Sequence, residues 1–188
     1  MDTCRPGYSR EMRSALLVID MLNPYDHEDA EPLKDSVREC LPVMEALIER
    51  ARDSELLTVY VNDNHGDWSA ARRELGERAL NGAAPELIEP ILPPPELPFV
   101  VKARHSVFYE TQLEYLLRQE EVDRVMLTGQ VTEQCILYSA LDAYVRHFEV
   151  SVVTDAIAHI DAKLAQAALS MMERNMRAEL VEAGSVEP

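Results

Sequence analysis

The chain has 188 residues, 47% of them hydrophobic, which fits one domain with a sizeable core and is too apolar for a disordered chain. Its formal net charge of −16 is read as solubility and excludes nucleic acid, since phosphate binding needs a basic surface. No apolar run approaches the ~20 residues a membrane helix needs, and the three widely spaced cysteines, Cys4, Cys40 and Cys135, suggest neither a disulfide framework nor a zinc knuckle. No membrane contact and a reducing cytoplasm are therefore expected.

Residues 1–13 read as a loose, polar leader without a secretory apolar segment. Ser14 to Ile19 is an apolar run that suits a central parallel strand, and it ends in the carboxylate of Asp20. In open α/β sheets ligands bind beyond the carboxyl ends of strands, where Asp20 sits. Asn23-Pro24 marks a turn. Pro32 to Arg52 is helical in pattern, with Val37, Leu41, Met44, Leu47 and Ile48 at spacings of three and four. Pro42 inside it predicts a kink or a split.

Leu56 to Val61 is a second strand, followed by the polar loop Asn62-Asp63-Asn64-His65-Gly66-Asp67-Trp68. Ser69 is placed to cap a helix running to about Leu80. Residues 85–98 hold six of the eleven prolines and form a stiff surface connector. Phe99 to Lys102 is a third strand ending in a cation, and Glu110 to Arg118 a short helix with Thr111 near its start. Val122 to Leu127 is a further core strand, Val150 to Val153 the next, Asp161 to Met176 a long Met-rich helix and Arg177 to Val181 a last strand. Alternating strands and helices imply right-handed βαβ units. The fold expected is three-layer α-β-α, Rossmann-like, with a mostly parallel six-stranded sheet in one domain, residues 14–182, and a short tail, 183–188.

The stretch Leu127-Thr128-Gly129-Gln130-Val131-Thr132-Glu133-Gln134-Cys135 organises the rest. Gly129 permits a turn that other residues resist, Thr132 stands where an N-cap would, and Cys135 follows in the first turn of a helix over 132–146. N–H groups at a helix start stabilise a thiolate, the form that attacks, and can hold an oxyanion. The same local pattern fits an inert buried cysteine. Asp20, Lys102 and Cys135 all lie at strand ends, and neighbouring strands would converge them on one sheet edge. A lysine beside the thiol is expected to lower its pKa, and a carboxylate in reach to move its proton. Taken singly, Asp20 reads as a loop cap and Lys102 as a solvated charge.

With these motifs the chain resembles the isochorismatase-like cysteine hydrolases, which include nicotinamidases and N-carbamoylsarcosine amidohydrolase. Leu17-Val18-Ile19-Asp20-Met21-Leu22-Asn23-Pro24-Tyr25 matches the end of their first strand, Val101-Lys102 their lysine strand, and Gly129 to Cys135 their Gly-x-x-Thr-x-x-Cys motif. The resemblance runs from about Ala15 to Leu180. It implies an Asp20-Lys102-Cys135 triad, a cis peptide at Gln130-Val131, and an oxyanion hole from the N–H groups of Val131 and Cys135. It further implies hydrolysis of a small amide or ureide C–N bond through a Cys135 thioester, no cofactor, and a homodimer or homotetramer. Tyr25, Trp68, His105, Phe108 and Tyr138 are candidates for the pocket walls or for packing.

The sequence departs from the nicotinamidase pattern. Asp63-Asn64-His65 supplies an Asp-x-His pair, but no further histidine follows until His105, so Asp63 and His65 are weak metal candidates and no metal is expected. The members that cleave a vinyl ether tend to lack the cysteine present here. Two alternatives stay open: a metal-dependent nicotinamidase-like deamidase, and a silent binding module on the same fold. His27, His147 and His159 read as surface or helix residues, and Cys4 and Cys40 as incidental.

Overall fold

Ser14–Ile19 forms β1, and its side chains alternate between two apolar layers, which a strand's period of two requires. Leu16 and Val18 face one, Ala15, Leu17 and Ile19 the other. The computed structural model describes residues 12–186. The leader up to Glu11, with Cys4, and the last two residues lie outside the described residues. In chain order follow α1 (Ala30–Asp53), β2 (Leu57–Asp63), α2 (Arg72–Leu80), β3 (Phe99–Lys102), α3 (Leu113–Gln119), β4 (Arg124–Gln130), α4 (Leu137–Val145), β5 (Glu149–Ala158), α5 (Ala162–Met176) and β6 (Glu179–Val181).

The six strands make one parallel sheet in the order β3-β2-β1-β4-β5-β6. Residues of α1 and α2 pack on the Leu16/Val18 face, while those of α3, α4 and α5 cover the other. This is the expected three-layer arrangement. The strand order turns back between β1 and β4, and the crevice beyond the carboxyl ends of these two strands is where such sheets bind ligands. Among the described residues no helix is long and apolar enough to cross a membrane.

Several local expectations are corrected. Pro42 neither splits nor ends α1, which runs unbroken through it. Pro42 is on the exposed face, so the carbonyl it cannot serve is left to water while the buried stripe Val37, Leu41, Met44, Leu47 and Ile48 holds the helix down. Ser69 does not cap α2. Its N–H and hydroxyl both donate to Asp67 Oδ1, at 2.9 and 2.7 Å, and the helix starts after Ala71, whose N–H donates to Glu74 at 3.2 Å. The proline-rich connector carries two short 3-10 turns, Pro85–Leu87 and Glu89–Ile91, that bury Leu87, Ile88 and Ile91. β5 extends well past Val153, to Ala158. Beyond β6 a 3-10 turn, Ala183–Ser185, is tied in by Asp155, which accepts the Ala183 N–H at 2.8 Å, and by Arg50, which donates to the Ala183 carbonyl.

Gly129 explains how closely β4 meets β1 at the site. Its φ is +112°, and a Cβ there would sit 2.1 Å from the Ile19 carbonyl oxygen. Only glycine permits both the angle and the approach. The approach brings the end of β4, and the turn after it, against the end of β1.

Candidate active site

Asp20 follows the last residue of β1 with a positive φ of 57°, a conformation aspartate tolerates better than most residues. Its N–H donates to the Val61 carbonyl at 2.9 Å, and its Oδ1 accepts the Asp63 N–H at 2.7 Å. Both contacts come from β2, so the neighbouring strand fixes the carboxyl group. Lys102 ends β3, two strands away from β1, or roughly 10 Å sideways at ordinary strand spacing. A long side chain is needed to cross that gap. Its Nζ lies 2.8 Å from Asp20 Oδ2 and 3.5 Å from Asp63 Oδ2. It also donates to Cys135 Sγ at 3.6 Å.

These three groups are 7%, 2% and 8% exposed in the order Asp20, Lys102, Cys135, so their charges interact with little screening. Burial alone would lower the Lys102 pKa; Asp20, Cys135 and Asp63 overcome it and hold the ammonium above the usual lysine value. For Cys135 the balance goes the other way. Burial raises the thiol pKa, the Asp20 carboxylate raises it further, and Lys102 opposes both without prevailing. Lys102 does lower the thiol pKa, but burial and Asp20 outweigh it. The thiol thus sits buried beside a closed Lys102–Asp20 pair.

Cys135 lies in a single π-type turn, Thr132–Ile136, that leads into α4. Thr132 does not cap this helix as expected. Its hydroxyl donates to the Ala158 carbonyl at 2.9 Å, across to β5. Val131 is the N-cap residue, and its carbonyl accepts the Gln134 and Ile136 N–H groups. The peptide Gln130–Val131 is cis. The Gln130 amide donates to the Asp20 carbonyl at 2.7 Å and accepts from the Tyr25 hydroxyl at 3.3 Å. Sequence reasoning missed this brace, although a glutamine ending the apolar run of β4 was its signal. Tyr25 thus lies behind the site, buried, with its phenol pKa raised by that burial.

A cavity of about 220 Å³ opens over Asp20, Lys102 and Cys135, with Val131, Gln134, His105 and Ile160 among its walls. Of the proposed wall residues, His105 faces it, and its Nδ1 is 3.6 Å from Cys135 Sγ. Tyr138 stands behind that imidazole, stacked at 5.4 Å and 18°. Phe108 is in the core against Phe148, centroids 5.8 Å apart. Trp68 is 85% exposed and lines a separate cleft of about 460 Å³ that shares only Lys102 with the cavity over Asp20 and Cys135. Asn23, His27, Asp29, Gln134 and Ile160 also reach the cavity. Tertiary packing gathers them, and no local pattern announced it.

Asp63 and His65 do not present a metal site. Asp63 Oδ1 accepts the His65 N–H at 2.8 Å while its other oxygen faces Lys102. His65 Nε2 lies 2.9 Å from the Leu22 carbonyl, a contact that needs a proton on that nitrogen. Among the described residues no three His, Cys, Asp or Glu side chains gather to hold an ion. The residues present do not fit a metal.

The isochorismatase domain model matches residues 14–184. An uncharacterised isochorismatase family protein of Bacillus subtilis is 33% identical over 166 residues, which span 88% of this chain and 92% of that protein. The maleamate amidohydrolase of Pseudomonas putida is 27% identical over 81% of this chain and 75% of its own length. Among solved structures, the N-carbamoylsarcosine amidase of Thermoplasma acidophilum superposes with a TM-score of 0.74 at 26% identity, covering 94% of this chain and 100% of that one. The chain belongs to the isochorismatase family of hydrolases.

Proposed function

We propose that the protein hydrolyses a small amide or ureide C–N bond through a thioester on Cys135. The observation that carries this reading is the buried contact of Lys102 Nζ with both Asp20 Oδ2, at 2.8 Å, and Cys135 Sγ, at 3.6 Å, under a small cavity. Asp20 takes the thiol proton as sulfur attacks the carbonyl carbon, and gives it to the nitrogen that leaves. Water then adds to the thioester, the C–S bond breaks, and acid and thiol are released. Lys102 stays protonated, orients Asp20 and offsets the charge on sulfur. The N–H groups of Val131 and Cys135, at the start of the turn, would hold the oxyanion. The amidohydrolase named among the relatives, and the amidase among the solved structures, support a C–N bond as the target.

The cavity wall argues for an uncharged substrate. The carboxylates of Asp20, Asp29 and Asp63 face it against the single ammonium of Lys102, which is already paired. A carboxylate on the substrate would enter a field of its own sign. Succinamide and succinamate share a skeleton and differ in this charge. Ammonia release should show kcat/KM at least ~10-fold higher for succinamide, about 1.4 kcal/mol of discrimination. Equal or better use of succinamate would contradict the assignment of charge, and no ammonia from succinamide or any other small neutral amide would contradict the amidase reading.

A further inference from the structure

We propose that His105 is a fourth catalytic side chain, the base that takes a proton from the attacking water when the Cys135 thioester breaks down and returns it to the departing sulfur. The inference rests on the thioester reading above. Its observations are separate from those that define the triad.

Cys135 Sγ has polar neighbours on two sides. Lys102 reaches it from the buried side, with Asp20 beyond, and His105 Nδ1 approaches at 3.6 Å from the other. Both Asp20 oxygens already accept hydrogen bonds, Oδ1 from the Asp63 N–H and Oδ2 from Lys102. The carboxylate is thus held on the buried side of the sulfur. His105 differs in every relevant respect. It is exposed, and it lines both the catalytic cavity and an open groove of about 430 Å³ on the outer surface, with Tyr109, Tyr138 and Leu141. A leaving amine that departs through this opening vacates the space that incoming water must cross, and the imidazole stands beside that path. The stack on Tyr138 fixes the plane of the ring, so the nitrogen stays directed at the sulfur.

The step balances. Nδ1 of neutral His105 accepts one proton as the water oxygen bonds to the thioester carbonyl carbon. The tetrahedral adduct expels sulfur, and the imidazolium returns the proton to it. Acid, thiol and neutral imidazole result, with no further reactant. Asp20 serves the acylation half from the floor of the cavity, and His105 serves the deacylation half from its mouth. A side chain that only walled the cavity would alter substrate binding and leave the breakdown of a bound acyl group unchanged.

The test uses 4-nitrophenyl acetate, whose leaving group needs no proton, so acylation asks nothing of His105 and the role of His105 in deacylation is read alone. His105→Phe keeps an aromatic ring on Tyr138 and removes the nitrogen; His105→Gln keeps polarity without a base. Both should give a stoichiometric nitrophenolate burst at the wild-type rate. Steady-state release should then fall by ~100-fold, within the range of general-base effects. Acetyl-Cys135 should accumulate by intact mass in the variants, and hydroxylamine, which attacks without a base, should discharge it. Wild-type turnover in both variants would overturn the assignment, as would slow turnover with no acetyl enzyme. A burst that survives in Cys135→Ala, or an acetyl group that turns over on another residue, would remove the thioester reading itself and this proposal with it.

Discussion

Cys135→Ala should lower turnover of any substrate by ~10⁴-fold or more while the protein stays folded, because a nucleophile has no substitute within a unit that works together. The alanine leaves Asp20 Oδ2 and Lys102 Nζ paired at 2.8 Å, so no buried charge loses its partner. It deletes one sulfur that is 8% exposed and two long contacts, to Lys102 and His105. The expected stability change is within about 1–2 kcal/mol, the range for small buried truncations. Loss of turnover with a melting curve displaced by no more than a few degrees therefore reports on chemistry. A variant that kept more than a hundredth of the activity would rule out a sulfur-bound intermediate.

Lys102→Met should act on stability as much as on activity. The ammonium is fully buried at its side chain and sits between Asp20 and Asp63. Methionine fills a similar volume and leaves those two carboxylates facing each other without a cation. Breaking a buried pair in this way costs ~3–5 kcal/mol. The pH dependence has a definite sign. In the wild type the folded lysine pKa lies above its unfolded value, so its contribution is complete below ~10.4 and lost only as pH rises further. In the variant the folded state favours a protonated carboxyl group. Its deficit is then largest at neutral pH and shrinks as pH falls towards ~4. Adding Asp20→Asn should restore most of the stability and none of the activity. Chemical denaturation across pH checks this, and a Lys102→Met protein as stable as the wild type at pH 7 would contradict the electrostatic account of the site.

Much of this arrangement is legible in the sequence, for a physical reason. Central parallel strands are buried on both faces, so β1 and β4 appear as apolar runs, and a polar residue closing such a run, as Asp20 closes the first, stands out. Lys102 stands out in the same way at the end of β3. What the sequence conceals depends on contacts between distant segments. The Gln130 amide reaches back to the Asp20 carbonyl across 110 residues, and Thr132 turns to β5 instead of capping its own helix. The local position of Cys135 fits an activated thiol and an inert buried one equally, because burial, the Asp20 carboxylate and the Lys102 ammonium that act on it come from distant segments. His105 appears in the sequence only as one possible wall residue among several; its contact with the sulfur exists because the segment after β3 folds over the turn that carries Cys135. Phe108, three residues further on, faces the core instead.

The most direct test of the central claim is acid-quenched peptide mass mapping during turnover of the fastest neutral amide. A transient mass equal to the acyl group should appear on the peptide that holds Cys135, rise before acid is released and decay with it, while Cys40 stays unmodified. Full turnover with Cys135 unmodified at every time point, or an acyl group resting on another residue, would contradict the account.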